Sequence, residues 1–224
     1  MGRYSLDAPG LAYAGGTWDA RSYQTFQPVA DGIVVLTDDR YFDQDIMGRL
    51  EEFLVALYGR ESLDENLQWL ADRVDRRIED DAATRLRRYF LQEFFKDHCK
   101  VYSKRPIYWL FDSGPDKGFR ALVYLHRYTP DTVARVRLDY LQPLQIRVAE
   151  ELRQWETRLA AGTLSRAERR LVEARIDLLR ARQAECVRYD QVLADLANQR
   201  IALDLDDGVK VNYAKLQPAL AAVK

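Results

Sequence analysis

The sequence is poor in side chains that hold metals or carry redox chemistry: two cysteines and two histidines in 224 residues. Cys99 and Cys186 are too far apart to make a Cys-x-x-Cys pair, and His98 and His126 do not complete a zinc set with them. Both cysteines read as reduced thiols in the core or at its boundary. No apolar run approaches the ~18 residues that cross a bilayer, so no membrane partner is expected. The N-terminus lacks the charged-then-apolar layout of a secretion signal, and the expected setting is cytoplasmic. Enzyme motifs are missing too. None of the seven prolines adjoins another, so the Pro-Pro-aromatic loop of amino-methyltransferases is absent. There is no GxGxxG or GxxxxGK[ST] phosphate cradle. No lysine has an acid two residues before it, which removes the acid-x-Lys end of many nucleases. Asp204, Asp206 and Asp207 before Gly208 resemble part of a calcium loop. The spacing is one residue short, and Lys215 stands where the closing glutamate belongs. The chain therefore offers no catalytic, cofactor-binding or metal-binding residue of its own.

What it does hold is a globular composition, 47% hydrophobic and 31% charged. The net charge of −1 hides an uneven distribution. Residues 1–84 carry 8 basic and 17 acidic side chains, whereas residues 85–130 carry 10 basic and 4 acidic. The basic middle is either a surface for a polyanion or one half of a charge-matched packing between parts of the chain.

Residues 1–32 are rich in Gly, Tyr, Asp and Ser with no helical period, and Gly32 to Leu36 reads as a short strand. Ile46, Leu50, Phe53, Leu54 and Leu57 then recur at helical spacing. Ser62 and Glu65 form the pattern of a capping box, opening a helix that carries Leu63, Leu67, Leu70 and Val74. A third helix is expected over 79–96, with Leu86, Tyr89, Phe90 and Phe94 inward and Arg85, Arg88 and Gln92 opposite. The densest signal is KRPIYWLFDSGPDKGFRALVYLHRY, residues 104–128: two aromatic-rich runs around a seven-residue turn. Its strands are apolar on both faces, which predicts a β-hairpin covered by helices on both sides.

The second half is helical. Thr129-Pro130 predicts an N-cap followed by proline at the first helical position. Leu141, Leu144, Val148, Leu152, Trp155 and Leu159 follow at helical spacing, and Pro143 is expected to kink or split this helix. Gly162-Thr163 makes a tight reversal, and Ser165 with Glu168 predicts a second capping box. Beyond it, Leu164, Ala167, Leu171, Ala174, Leu178 and Ala181 suggest a heptad seam that shifts to Leu179, Cys186, Tyr189, Leu193 and Leu196. So short a turn forces the two helices antiparallel, in the manner of a coiled coil. The tail predicts an Asp207-Gly208 turn, a short strand from Val209 to Tyr213 and a short helix. The chain thus reads as mainly α with a small β component. Residues 1–128 form a mixed subdomain with the central hairpin, 129–200 an antiparallel helical hairpin, and 201–224 a turn, strand and helix.

Lys96, Lys100, Lys104, Arg105, Lys117 and Arg127 fall on loops and strand ends around the β-hairpin, where cations reach phosphates while keeping their hydration. They read either as nucleic-acid contacts or as a solvated rim. Most of the hairpin aromatics read as core, with Tyr102 and Tyr128 at the ends open to stacking on bases. His126 reads as a structural histidine at a strand end.

Residues 94–141, FFKDHCKVYSKRPIYWLFDSGPDKGFRALVYLHRYTPDTVARVRLDYL, resemble the C-terminal region of PglX-type adenine-specific DNA methyltransferases of BREX phage-defence systems, which are related to fused type II restriction–methylation enzymes. The front, YSLDAPGLAYAGG with ADGIVVLTDD, and the tail, LDLDDGVKVNYAKL, agree in the same order. The resemblance implies methyl transfer from S-adenosylmethionine to adenine N6 in a parent enzyme whose cofactor and Asn-Pro-Pro-Tyr motifs lie upstream. Neither motif is present here. It implies a non-catalytic part that engages DNA and helps assemble the enzyme, with DNA and the upstream methyltransferase domain as partners. The alternative is a protein-interaction module that docks the catalytic domain or other defence proteins through the helical hairpin.

Overall fold

A computed structural model describes residues 26–75, 79–102 and 105–222. They fall into two compact units, one of Thr37–Phe94 with the described residues before Ala30, the other of Ala30–Leu36 and the chain from Phe95 onward. Helices dominate, with one small antiparallel sheet. Among the described residues no helix is long and apolar enough to cross a membrane.

The first unit is built from α1 (Ile46–Tyr58), α2 (Leu63–Val74) and α3 (Ala82–Gln92). Met47, Leu54, Tyr58, Leu67, Ala71 and Leu86 form its core. Asp45 caps α1 by accepting from the Met47 and Gly48 N–H groups, and the guanidinium of Arg87 closes on its other oxygen at 2.6 Å. Three expectations change here. Ser62 makes no capping box: a 3₁₀ turn, Arg60–Ser62, runs straight into α2, and the Ser62 hydroxyl donates back to the Tyr58 carbonyl at 2.8 Å. The third helix ends at Gln92, and a separate α4 (Phe94–Val101) follows. Arg85 is buried, not outward. Its Nε donates to the Asp75 carbonyl at 2.9 Å, closing the C-terminal end of α2, and its charge meets Asp72.

The second unit holds the sheet. Strands β1 (Ile33–Val35), β2 (Tyr108–Asp112) and β3 (Arg120–Tyr124) are ordered β1-β3-β2, all antiparallel. Trp109 pairs with Val123 and Asp112 with Arg120, which leaves residues 113–119 as the turn. The interior positions of both strands are buried on both faces, as alternating apolar runs of this kind require. One face carries Trp109, Phe111, Phe119 and Val123, with Tyr189 against Phe119 and Tyr213 against Trp109. On the other, Tyr108 stacks on Tyr124 at 5.2 Å, and His98 of α4 packs on Tyr108.

The helical hairpin begins with Thr132–Arg135 (α5), passes through a π-helical stretch Val136–Leu141, and continues as α6 (Gln142–Ala160). Asp131 stands at the N-cap, two residues later than the Thr129-Pro130 pattern suggests. Pro143 does not split the helix. The π turn just before it, in which Gln142 N–H bonds the Arg137 carbonyl, relaxes the ladder where proline has no N–H to give. Ser165 then caps α7 (Arg166–Gln199) with the expected reciprocal bonds to Glu168. Leu144, Val148 and Leu152 of α6 are buried, as are Val172, Ile176, Leu179, Cys186, Tyr189, Leu193 and Leu196 of α7. This seam is continuous along α7. The shift expected from the Leu/Ala pattern does not occur, and Leu171 is 73% exposed.

The tail corrects one more expectation: Val209–Leu216 is a helix, α8, not a strand. The extended pairing comes later, where Leu220 bridges Phe111 and Ala221 N–H donates to the Leu110 carbonyl at 2.9 Å. That contact covers part of the open edge of β2.

Candidate nucleic-acid interface

The turn between β2 and β3 is held by a carboxylate from α7. Glu185, 2% exposed, accepts from the Ser113 hydroxyl at 2.6 Å and from the Gly118 N–H at 2.9 Å through one oxygen. Its other oxygen accepts from the Asp116 N–H at 2.8 Å. The Ser113 hydroxyl accepts in turn from Phe119 N–H, and Arg182 Nε donates to the Asp116 carbonyl at 3.1 Å. The turn lies so close to α7 that a Cβ on Gly118 would meet the Arg182 carbonyl oxygen at 2.8 Å and Cys186 Sγ at 2.9 Å. Glycine is needed there for approach, and a charged acceptor with three donors pins the loop in one shape.

Lys117 stands on this pinned turn in a left-handed conformation, φ 54°, half-buried. Its ammonium is pushed below the ordinary lysine range first by desolvation and then by the positive charge of Arg120, Lys96 and Arg182, with Asp112 acting the other way. Lys96, Arg120 and Arg182 thus lie within electrostatic reach of Lys117, at a turn that also holds the carboxylates of Asp112, Asp116 and Glu185. Arg120 pairs with Asp112 across the strands at 2.5 Å. Of these four, the sequence pattern singles out Lys96 and Lys117. Arg120 is hidden by its place inside a strand, and Arg182 by the 65 residues that separate it from Lys117.

Other predicted residues sit elsewhere. Lys100, on the last turn of α4, is 77% exposed and pairs with Asp97 at 3.1 Å. Arg105 is exposed on the loop entering β2, and Arg127 is exposed in the 3₁₀ turn leaving β3. The pairing of Tyr108 with Tyr124 puts these two arginines at the end of the strands opposite the turn. Lys104 lies outside the described residues. The predicted cations among the described residues are therefore not one patch: Lys96 lies within electrostatic reach of Lys117, and Arg105 and Arg127 share the far end.

His98 organises that far end. Its Nε2 accepts from the backbone N–H groups of Ile107 and Tyr108 at 3.2 and 3.3 Å, so the ring is neutral there and holds the start of β2. Burial lowers its pKa in the same sense. Tyr102, 41% exposed, packs on the His98 ring at 4.6 Å. Tyr128 is turned inward, with its hydroxyl on the Ile201 carbonyl and its pKa pushed up to about 12 by burial. His126 is exposed at the strand end with Tyr124 against its ring. In the tail, Lys215 reaches Asp207 at 3.4 Å, and no metal-binding group of His, Cys, Asp or Glu occurs among the described residues.

Sequence comparison gives this scaffold a setting. Over 220 residues, 97% of the chain, it is 46% identical to the adenine-specific methyltransferase PglX of Lacticaseibacillus casei (strain Zhang). Over 236 aligned residues covering the whole chain, it is 41% identical to the adenine-specific methyltransferase BrxX of Escherichia coli O9:H4 (strain HS). The chain matches a region of PglX-type adenine-specific methyltransferases from end to end. It spans 18% of the PglX and 19% of the BrxX sequence, about a fifth of each. No family model matches it. The PglX and BrxX matches cover the Glu185-pinned turn and both groups of cations alike.

Proposed function

We propose that this chain is a non-catalytic, C-terminal part of an adenine-specific DNA methyltransferase of a phage-defence system, which helps the enzyme engage cytoplasmic DNA and assemble. S-adenosylmethionine binding and methyl transfer belong to the upstream domain of the parent. The end-to-end match to two adenine-specific methyltransferases carries this reading. The cations at the turn support it: Lys117 offers its charge to phosphates from a loop whose shape is already set, and Lys96 adds a second from the helix α4, so little ordering cost falls on binding.

Fluorescence anisotropy with a labelled duplex tests it. Binding should weaken linearly on a log–log salt plot, and Lys96→Glu with Lys117→Glu should reduce both affinity and slope, the slope by about 0.9 for each phosphate left without its cation. Salt-independent binding, or none at any ionic strength for this chain and the longer protein alike, would falsify it.

A second reading, that the helical hairpin contacts protein, is supported by one observation. Leu171 is 73% and Leu178 37% exposed on the face of α7 turned away from the seam.

A further inference from the structure

Resting on that second reading, we infer that the Leu/Ala face of α7 binds a second copy of this chain, antiparallel to itself. The face runs Ala167, Leu171, Ala174, Leu178, Ala181, at alternating steps of four and three residues over about four helical turns, with Leu164 just before the Ser165 cap. Ala167, Leu171, Ala174 and Leu178 are exposed, and Leu164 and Ala181 partly so. The seam toward α6 uses a different set, Val172, Ile176 and Leu179. The Leu/Ala face is thus a second apolar stripe, most open at Ala167, Leu171 and Ala174.

Its order is self-complementary. An antiparallel two-fold placed between Val172 and Glu173 sets Leu171 on the second copy's Ala174 and Ala167 on its Leu178. Every layer then joins a large side chain to a small one, the arrangement that lets two helices approach and interlock. A parallel pairing in register would instead put Leu on Leu and leave gaps between alanines.

The charges beside the stripe agree. Arg170 and Asp177, seven residues apart on one edge, are both exposed, and neither has a partner among the described residues. The same two-fold brings Arg170 beside the second copy's Asp177, and Asp177 beside its Arg170. On the other edge the charges are already committed within the chain, Glu168 to the Ser165 cap and Arg175 to Glu151. A stripe of this length is small beside the ~1,200–2,000 Å² that stable complexes bury, so association depends on concentration.

Sedimentation velocity of this chain over a range of concentrations decides the matter. The expected result is a reversible monomer–dimer shift. Arg170→Asp should weaken it roughly ten-fold by setting like charges opposite one another, and Arg170→Asp with Asp177→Arg should restore it. Leu171→Asp should abolish it while leaving the circular dichroism unchanged, because Leu171 packs against little. A chain monomeric at every concentration overturns the proposal, as does a dimer indifferent to Arg170→Asp and Leu171→Asp. If the chain is monomeric and yet Leu171→Cys is shielded from a thiol probe in the longer methyltransferase, the stripe is covered by the parent's own chain. The second copy is then overturned while the protein-contact reading survives.

Discussion

Glu185, just past the middle of α7, accepts from the backbone N–H of Gly118 at 2.9 Å and so ties the β2–β3 turn to a helical residue 67 positions further on. The same carboxylate takes two more donors, Ser113 and Asp116. A buried charge is tolerable only when it is satisfied in this way, and removing it strands three donors at once.

Glu185→Ala should therefore cost about 3 kcal/mol in urea unfolding. Amide exchange in residues 113–119 should rise more than in β1, because the carboxylate pins the turn and not the sheet. A loss within ~0.5 kcal/mol, the range of ordinary surface changes, would mean the turn holds its shape alone.

Gly118→Ala should destabilise by ~1–3 kcal/mol, since its Cβ would press on backbone and sulfur that cannot swing aside. Gly162→Ala is the control. Gly162 has φ 69° but open space where a methyl group would stand, so only conformational strain of about 1 kcal/mol applies. Equal losses at the two sites would remove the argument that close approach to α7 dictates Gly118.

These contacts mark where the sequence is readable. The β-hairpin is legible because Trp109, Phe111, Ala121 and Val123 alternate with a second apolar set, a pattern only a doubly covered strand has use for. Ser165 is legible because its cap is completed within four residues. Ser62 carries the same local pattern, and a 3₁₀ turn upstream redirects its hydroxyl. Glu185 is not legible as a clamp, because nothing near it in sequence announces its partners. The cations that read as one group divide in two once strand pairing sets Lys117 and Arg127 at opposite ends.

The seam of α7 is the sharpest case. Leu171/Ala174/Leu178 and Val172/Ile176/Leu179 lie one or two residues apart, and both satisfy helical spacing. The partner helix decides between them, and the set that puts Ile176 where the other has Ala174 buries more area against α6. Leu179→Ala should cost about 3 kcal/mol, since Leu179 is fully buried, whereas Leu171→Ala should stay within about 0.5 kcal/mol. Urea unfolding of the two variants at low protein concentration checks this. The reverse order would restore the Leu/Ala set as the internal seam and remove the free face on which self-association depends.

His98 makes stability depend on pH in a stated direction. Burial lowers its pKa below the ordinary 6.5, and its Nε2 must stay unprotonated to accept from Ile107 and Tyr108. The unfolded chain then binds more protons than the folded one at pH values between the folded pKa and 6.5. The His98 contribution is thus fully present above 6.5 and is lost as pH falls from 6.5 through the folded value. Unfolding free energy measured from pH 7.5 down to 5 should fall in that window. His98→Gln, whose side-chain oxygen can accept but not titrate, should flatten the fall. An unchanged profile in His98→Gln would show that the start of β2 is held by its strand pairing and not by the imidazole.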